Sequence, residues 1–187
     1  SLTTVEGDFI LSRNSVLKAF EFTKLTKVGK RFDITENNQV WSFKFNALQK
    51  IGENCTPYSG LCGNLGIYLN YRLQYASFYS LDKVYNTVVL QANPQLERFG
   101  RVLNAQQGLI AIDNTSLCAS AQLDIIISRM WHGGGTYPLK VDIQRNNSNT
   151  SCLSRCPTVD PIQRCKIITE SKQYQAQNRP YDETSMQ

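Results

Sequence analysis

From Leu65 to Tyr75 the chain alternates almost without error. Leu65, Ile67, Leu69, Tyr71, Leu73 and Tyr75 fall on one side, and Gly66, Tyr68, Asn70, Arg72 and Gln74 on the other. A period of two over that length predicts a strand with one face on a core and the other in a polar setting. The pattern returns along the chain, so the expected class is all-β. Val16–Lys24 carries Phe20 and Phe22 on one face, and Gln39–Asn46 sets Trp41, Phe43 and Phe45 against Ser42 and Lys44. Lys83–Gln91, Gly108–Asp113, Ala121–Arg129, Tyr137–Gln144 and Arg164–Thr169 complete a set of about eight strands. The 19 Phe, Tyr and Trp residues agree with strands over helices.

The connections are longer than tight hairpins. Asn46–Asn64 is one, with a possible helical turn at Ala47–Ile51; Ala76–Asp82 and the polar Arg145–Pro161 are others. Eight strands with long, uneven links predict a double Greek key, an eight-stranded jelly-roll sandwich with extended terminal arms. The organisation expected is an arm over 1–14, one domain over 15–170 and a polar tail over 171–187. No internal repeat stands out, and 187 residues are enough for one good core.

His132 is the only histidine, in Trp131-His132-Gly133-Gly134-Gly135, and no Gly-x-Ser-x-Gly nucleophile turn accompanies it. Cys152, Cys156 and Cys165 lack the paired close spacing of a structural zinc site. No phosphate loop is present, so the expectation is no catalytic residue, no metal and no cofactor. The inward aromatics of the Trp41–Phe45 strand suit a core better than a base-stacking platform. With 20 Lys and Arg against 15 Asp and Glu, the charge is only +5. Its densest basic stretch, Lys24, Lys27, Lys30 and Arg31, is the candidate for weak, sequence-independent nucleic-acid contact. No membrane span is expected. Six cysteines and four Asn-x-Ser/Thr sequons, at Asn54, Asn114, Asn146 and Asn149, keep a second reading open: a secreted, disulfide-bonded, glycosylated β-sandwich that binds a protein or carbohydrate.

A jelly roll with extended ends and no active site resembles an icosahedral virus coat protein. The resemblance is carried by the strands from about 16 to 170, among them Tyr85–Leu90, Gly-Arg-Val-Leu-Asn-Ala at 100–105 and Gly-Leu-Ile-Ala-Ile-Asp at 108–113. The ends narrow it: Ser1 and Gln187 fit release from a polyprotein by a protease that cuts after Gln and before a small residue. The chain is thus similar to a small capsid protein of a picorna-like plant virus of the cheravirus and secovirus group. That resemblance implies a structural subunit of the virion, assembled in the host cytoplasm. Its partners would be other capsid subunits and, weakly, the RNA genome. The 1–14 arm would run under a neighbour, and Arg145–Pro161 would protrude on the outer surface.

Overall fold

The computed structural model describes residues 2–56, 60–100, 102, 104–117 and the backbone of 140–144. Fifteen short strands among them form three faces of one coil. The first face stacks β1 (Thr4–Val5), β4 (Lys27–Val28), β7 (Lys50–Ile51), β10 (Lys83–Val84) and β13 (Asn104–Ala105). The second stacks β2 (Phe9–Ser12), β5 (Phe32–Thr35), β8 (Leu65–Tyr68), β11 (Thr87–Gln91), β14 (Gly108–Ile112) and β15 (Lys140–Gln144). The third stacks β3 (Ala19–Glu21), β6 (Ser42–Lys44), β9 (Tyr75–Ser77) and β12 (Arg98–Phe99).

Every pairing recorded is parallel, and each strand pairs with its counterpart one turn away. The molecule is therefore a β-solenoid of about four turns. The expected antiparallel jelly roll is corrected by this topology, because sandwich neighbours run antiparallel and none of the described strands does. Alternation reports which side chains face a core; it is silent about which backbone edge a strand uses. Residues 1–14, expected as an arm, contribute β1 and β2 to the first turn.

A repeat underlies the coil. Asn14, Asn37, Asn70, Asn93 and Asn114 occupy one corner, at intervals of 23, 33, 23 and 21 residues. The last four are wholly buried. Each accepts, through Oδ1, the backbone N–H of the asparagine one turn earlier, as in Asn37 N to Asn70 Oδ1 at 3.0 Å. From Asn37 onward, each Nδ2 donates both to a carbonyl of the preceding turn and to the carbonyl two residues before it; for Asn70 these are Ile34 and Tyr68. The residue ahead of each asparagine turns the chain with positive φ: Arg13, Glu36, Leu69, Ala92 and Asp113, all at 54–59°. Such a conformation is costly for a residue with a Cβ. The asparagine offsets it by satisfying corner groups that a sharp bend would strand in the core.

The long alternation from Leu65 to Tyr75 accordingly is not one strand. Leu65 and Ile67 point inward in β8, Leu69 and Asn70 make the corner, and Tyr75 opens β9. Three residues past each asparagine the chain turns in again with Val40, Leu73, Leu96 and Leu117, all buried. Columns of like residues fill the interior, such as Leu25, Leu48, Leu81 and Val102. Aromatic columns run beside them. Phe9 stacks on Phe32 at 5.0 Å, Phe20 on Phe43 at 5.4 Å, and Phe22 on Phe45 at 5.1 Å, with Phe78 next in that file. Trp41, expected inward with Phe43 and Phe45, lies outside the core at 47% exposure. The possible helical turn at Ala47–Ile51 is instead a bend leading into β7.

Candidate functional site: the disulfide-closed insertion

The regular coil is interrupted once among the described residues. Between the first and second faces, Val28 leads to Phe32 and Val84 to Val88 in four steps, whereas Ile51 and Leu65 are separated by ten residues more. The extra length is a loop closed by a disulfide between Cys55 and Cys62. Two glycines form its feet. Gly52 and Gly63 both have positive φ, and a Cβ on Gly52 would sit 2.3 Å from Gly63 Cα, so the loop's base requires two bare backbones in contact.

The loop is fastened on both sides. Toward the first turns, Asn54 N–H donates to Gly29 O at 2.8 Å, and Asn54 Nδ2 donates to Glu6 O and Glu6 Oε2 at 3.1 and 2.8 Å. Toward the later turn, Asn86 Nδ2 donates to Gly60 O and Cys62 O at 2.8 and 2.9 Å. Between the loop and the corner beneath it lies an open cleft of about 530 Å³, lined by Asp8, Lys30, Arg31, Asn54, Thr56, Leu61 and the disulfide.

Beside the cleft, the electrostatics around Arg31 follow from burial. Arg31 N–H donates to Asp8 Oδ1 at 2.9 Å, and Arg31 Nε lies 3.2 Å from Asp33 Oδ2. Arg31 Nε and Asp33 Oδ1 are both buried without a hydrogen-bond partner. Burial holds the Asp33 carboxyl above its usual range despite the nearby Arg31. Next to it, Tyr68 lies across Gly66, whose Cβ would meet the Tyr68 ring at 2.2 Å. Burial, with Asp33 beside it, pushes the Tyr68 hydroxyl up to about 12.

On the adjacent first face, Lys27, Lys50 and Lys83 occupy one register position in successive turns. Glu53, from the foot of the loop, sits 3.2 Å from Lys27 and 2.9 Å from Lys50, and Glu6 is 3.8 Å from Lys27. The two lysines hold the Glu53 carboxyl below its ordinary range. Lys83 instead lies over the Tyr85 ring at 4.3 Å.

The four basic residues expected to contact nucleic acid are therefore placed differently from one another. Lys27 and Arg31 are ion-paired, Lys24 is exposed at the corner before β4, and Lys30 lines the cleft. Ser1 and Gln187, His132, Cys152, Cys156, Cys165 and the Arg145–Pro161 loop lie outside the described residues. Of the four sequons, two are described. Asn54 is exposed at the cleft rim, while the Asn114 amide is buried and donates to Leu90 O and Ile112 O. Sequence reasoning missed Asp8, Asp33 and Tyr68, and left the cysteine pairing open. The signal that was available is the asparagine spacing, which jumps from 23 to 33 across the very stretch holding Gly52, Cys55, Cys62 and Gly63.

Among the described residues, no helix is long and apolar enough to cross a membrane. Compared with protein-family models, curated proteins and solved structures, the chain finds no match.

Proposed function

We propose that this chain is an extracytoplasmic β-solenoid binding module, whose disulfide-closed insertion presents the cleft to a polar partner, a protein or a carbohydrate. The observation that carries this reading is the Cys55–Cys62 bridge closing the insertion between β7 and β8. Disulfides persist in oxidising compartments and are rare where thiols are kept reduced. The cleft offers both charge signs in Asp8, Lys30 and Arg31, an amide in Asn54 and an exposed apolar contact in Leu61. That mixture orients a polar ligand by hydrogen bonds while giving it an apolar surface to cover.

A coat-protein role rested on the jelly roll, and a parallel coil takes that architectural support away. Peptide mapping of the native protein under non-reducing conditions tests the proposal. A linked peptide joining Cys55 to Cys62 is expected. Free thiols at both positions would overturn the extracytoplasmic reading, and sedimentation as virus-sized particles would favour a shell subunit in its place.

A further inference from the structure

Trp41 belongs to neither the core nor the cleft. It is 47% exposed in the second turn, although its backbone is paired on both sides. Its N–H donates to Lys18 O at 2.8 Å, and its carbonyl accepts from Gln74 N–H at 2.9 Å. The indole is therefore held out to solvent by a fixed main chain, with a turn of the coil stacked on each side.

Burial along the chain shows what surrounds it. Val40 and Leu73 are wholly buried, so Gln39 and Trp41 on either side of the first, and Arg72 and Gln74 on either side of the second, turn away from the core. One residue further on, Ser42, Tyr75 and Arg98 share a register position in successive turns. Arg98 lies over the Tyr75 ring, 5.8 Å from its centroid. Arg72 Nη1 donates to Gln39 Oε1 at 2.8 Å, which braces a guanidinium two residues from the Trp41 column. Lys18, Arg72 and Arg98 are all exposed, and none of the three pairs with a carboxylate among the described residues. Of the acids on this face, Glu21 sits 4.0 Å from Lys44, and Glu97 accepts from the Tyr75 hydroxyl at 3.5 Å. Positive charge is thus in excess around the two rings.

We propose that this strip binds an acidic polysaccharide, a chain of pyranose rings bearing carboxylates or sulfates. One face of a pyranose presents C–H bonds, which cover the electron-rich face of an indole or phenol ring. Guanidinium groups take carboxylate or sulfate oxygens in pairs. Lys18, Trp41, Tyr75 and Arg98 come from four successive turns, so the strip runs along the coil axis for roughly 14 Å at strand spacing. An extended polymer lies along it and meets ring and cation in turn. Single-stranded nucleic acid shares this chemistry through its phosphates and stackable bases. The glycan is preferred to it only through the extracytoplasmic reading of the disulfide proposed above.

Titration calorimetry of the full 187-residue chain with polygalacturonate, alginate and heparin tests this, with dextran as the uncharged control. Binding to at least one acidic polymer is expected, with none to dextran, and it should fade as salt rises from roughly 50 to 500 mM. Trp41→Ala is expected to weaken it about tenfold. Arg72→Gln and Arg98→Gln are expected to weaken it about threefold each, because exposed charges contribute modestly one by one. Circular dichroism confirms that each variant folds. Lys30→Gln, in the cleft at a different corner, should change nothing. No binding to any of the acidic polymers overturns the proposal, and so does binding that survives all three strip variants. Loss with Lys30→Gln alone would put the glycan in the cleft, which refutes the strip and spares the cleft. Tighter binding of oligodeoxythymidine than of any glycan, lost in the strip variants, would make this a nucleic-acid site instead.

Discussion

Replacing Asn70 with alanine is expected to remove about 2–6 kcal/mol of folding stability, far more than its small change in volume suggests. Asn70 is fully buried near the middle of the ladder. Its Oδ1 is the acceptor for Asn37 N–H at 3.0 Å, and its Nδ2 donates to Ile34 O and Tyr68 O, both at 2.9 Å. Alanine leaves the Asn37 N–H buried with nothing to bond, at a cost of about 1–3 kcal/mol. The two carbonyls each lose a bond whose net worth is about 0.5–1.5 kcal/mol. Against a total stability of roughly 5–15 kcal/mol this is a large fraction, and it converts to a fall in Tm on the order of 10 °C. Asn14→Ala is the internal control. That residue is half-buried at the head of the ladder, and its Nδ2 bonds only Ser12 O and Asn37 Oδ1, so about 1 kcal/mol or less is expected. Urea denaturation of both variants measures the difference. If the two losses agree within about 1 kcal/mol, the corner amides are not what holds successive turns together, and the reasoning is refuted.

Gly29→Ala should destabilise strongly, since its Cβ would lie 2.2 Å from the Glu6 backbone oxygen, while Gly7→Ala, with open space around it, should be near neutral; thermal unfolding of the pair checks both. Asp33→Asn is expected to raise Tm at pH 7. The folded pKa of Asp33 is raised, so its protonated form is favoured by the fold, and the penalty for ionising it sets in as pH rises through that value. Below the unfolded pKa both states are protonated, and the advantage of the variant should vanish; a Tm gain that persists there counts against the burial argument. Replacing Cys55 and Cys62 together by serine should cost about 2–3 kcal/mol, the loop-closure entropy of a short bridge, and calorimetry under non-reducing conditions would show it. In a glycosylating secretory host, glycopeptide mapping should find Asn114 unmodified in folded protein, because its Nδ2 is committed to Leu90 O and Ile112 O; a glycan there in a chain with native Tm would contradict the buried corner.

Much of the coil is written locally. Phe32, Ile34, Phe43, Phe45, Val88 and Leu90 alternate with polar neighbours, and burial follows that alternation because a strand sends successive side chains to opposite faces. The all-β class was therefore legible, as were β6, β11 and β14 to within a few residues, whereas β5 was passed over between the strands expected on either side. The repeat was legible as well, in a way easily passed over. Asn14, Asn37, Asn70, Asn93 and Asn114 are each followed three residues on by Leu or Val, and among the described residues that motif marks each corner of this kind. Asparagine reads as a loop residue on composition, however, and only its burial against the neighbouring turns shows it to be core.

What alternation leaves open is the partner of each strand edge. A two-residue period is the same in a sandwich and in a solenoid, so β8 and the corner after it read together as one long strand. The pairing is settled by contacts between residues 21 to 33 apart, through an amide ladder whose shared motif repeats along the chain but does not say which strands its members bring together. The cleft has the same origin. Asp8, Arg31, Asn54 and Cys62 come from three turns, and they meet because each extra turn stacks at strand spacing on the last. Residue type and spacing along the chain carry the core and the corners; the site exists only where separate turns lie side by side, which no single stretch of sequence encodes.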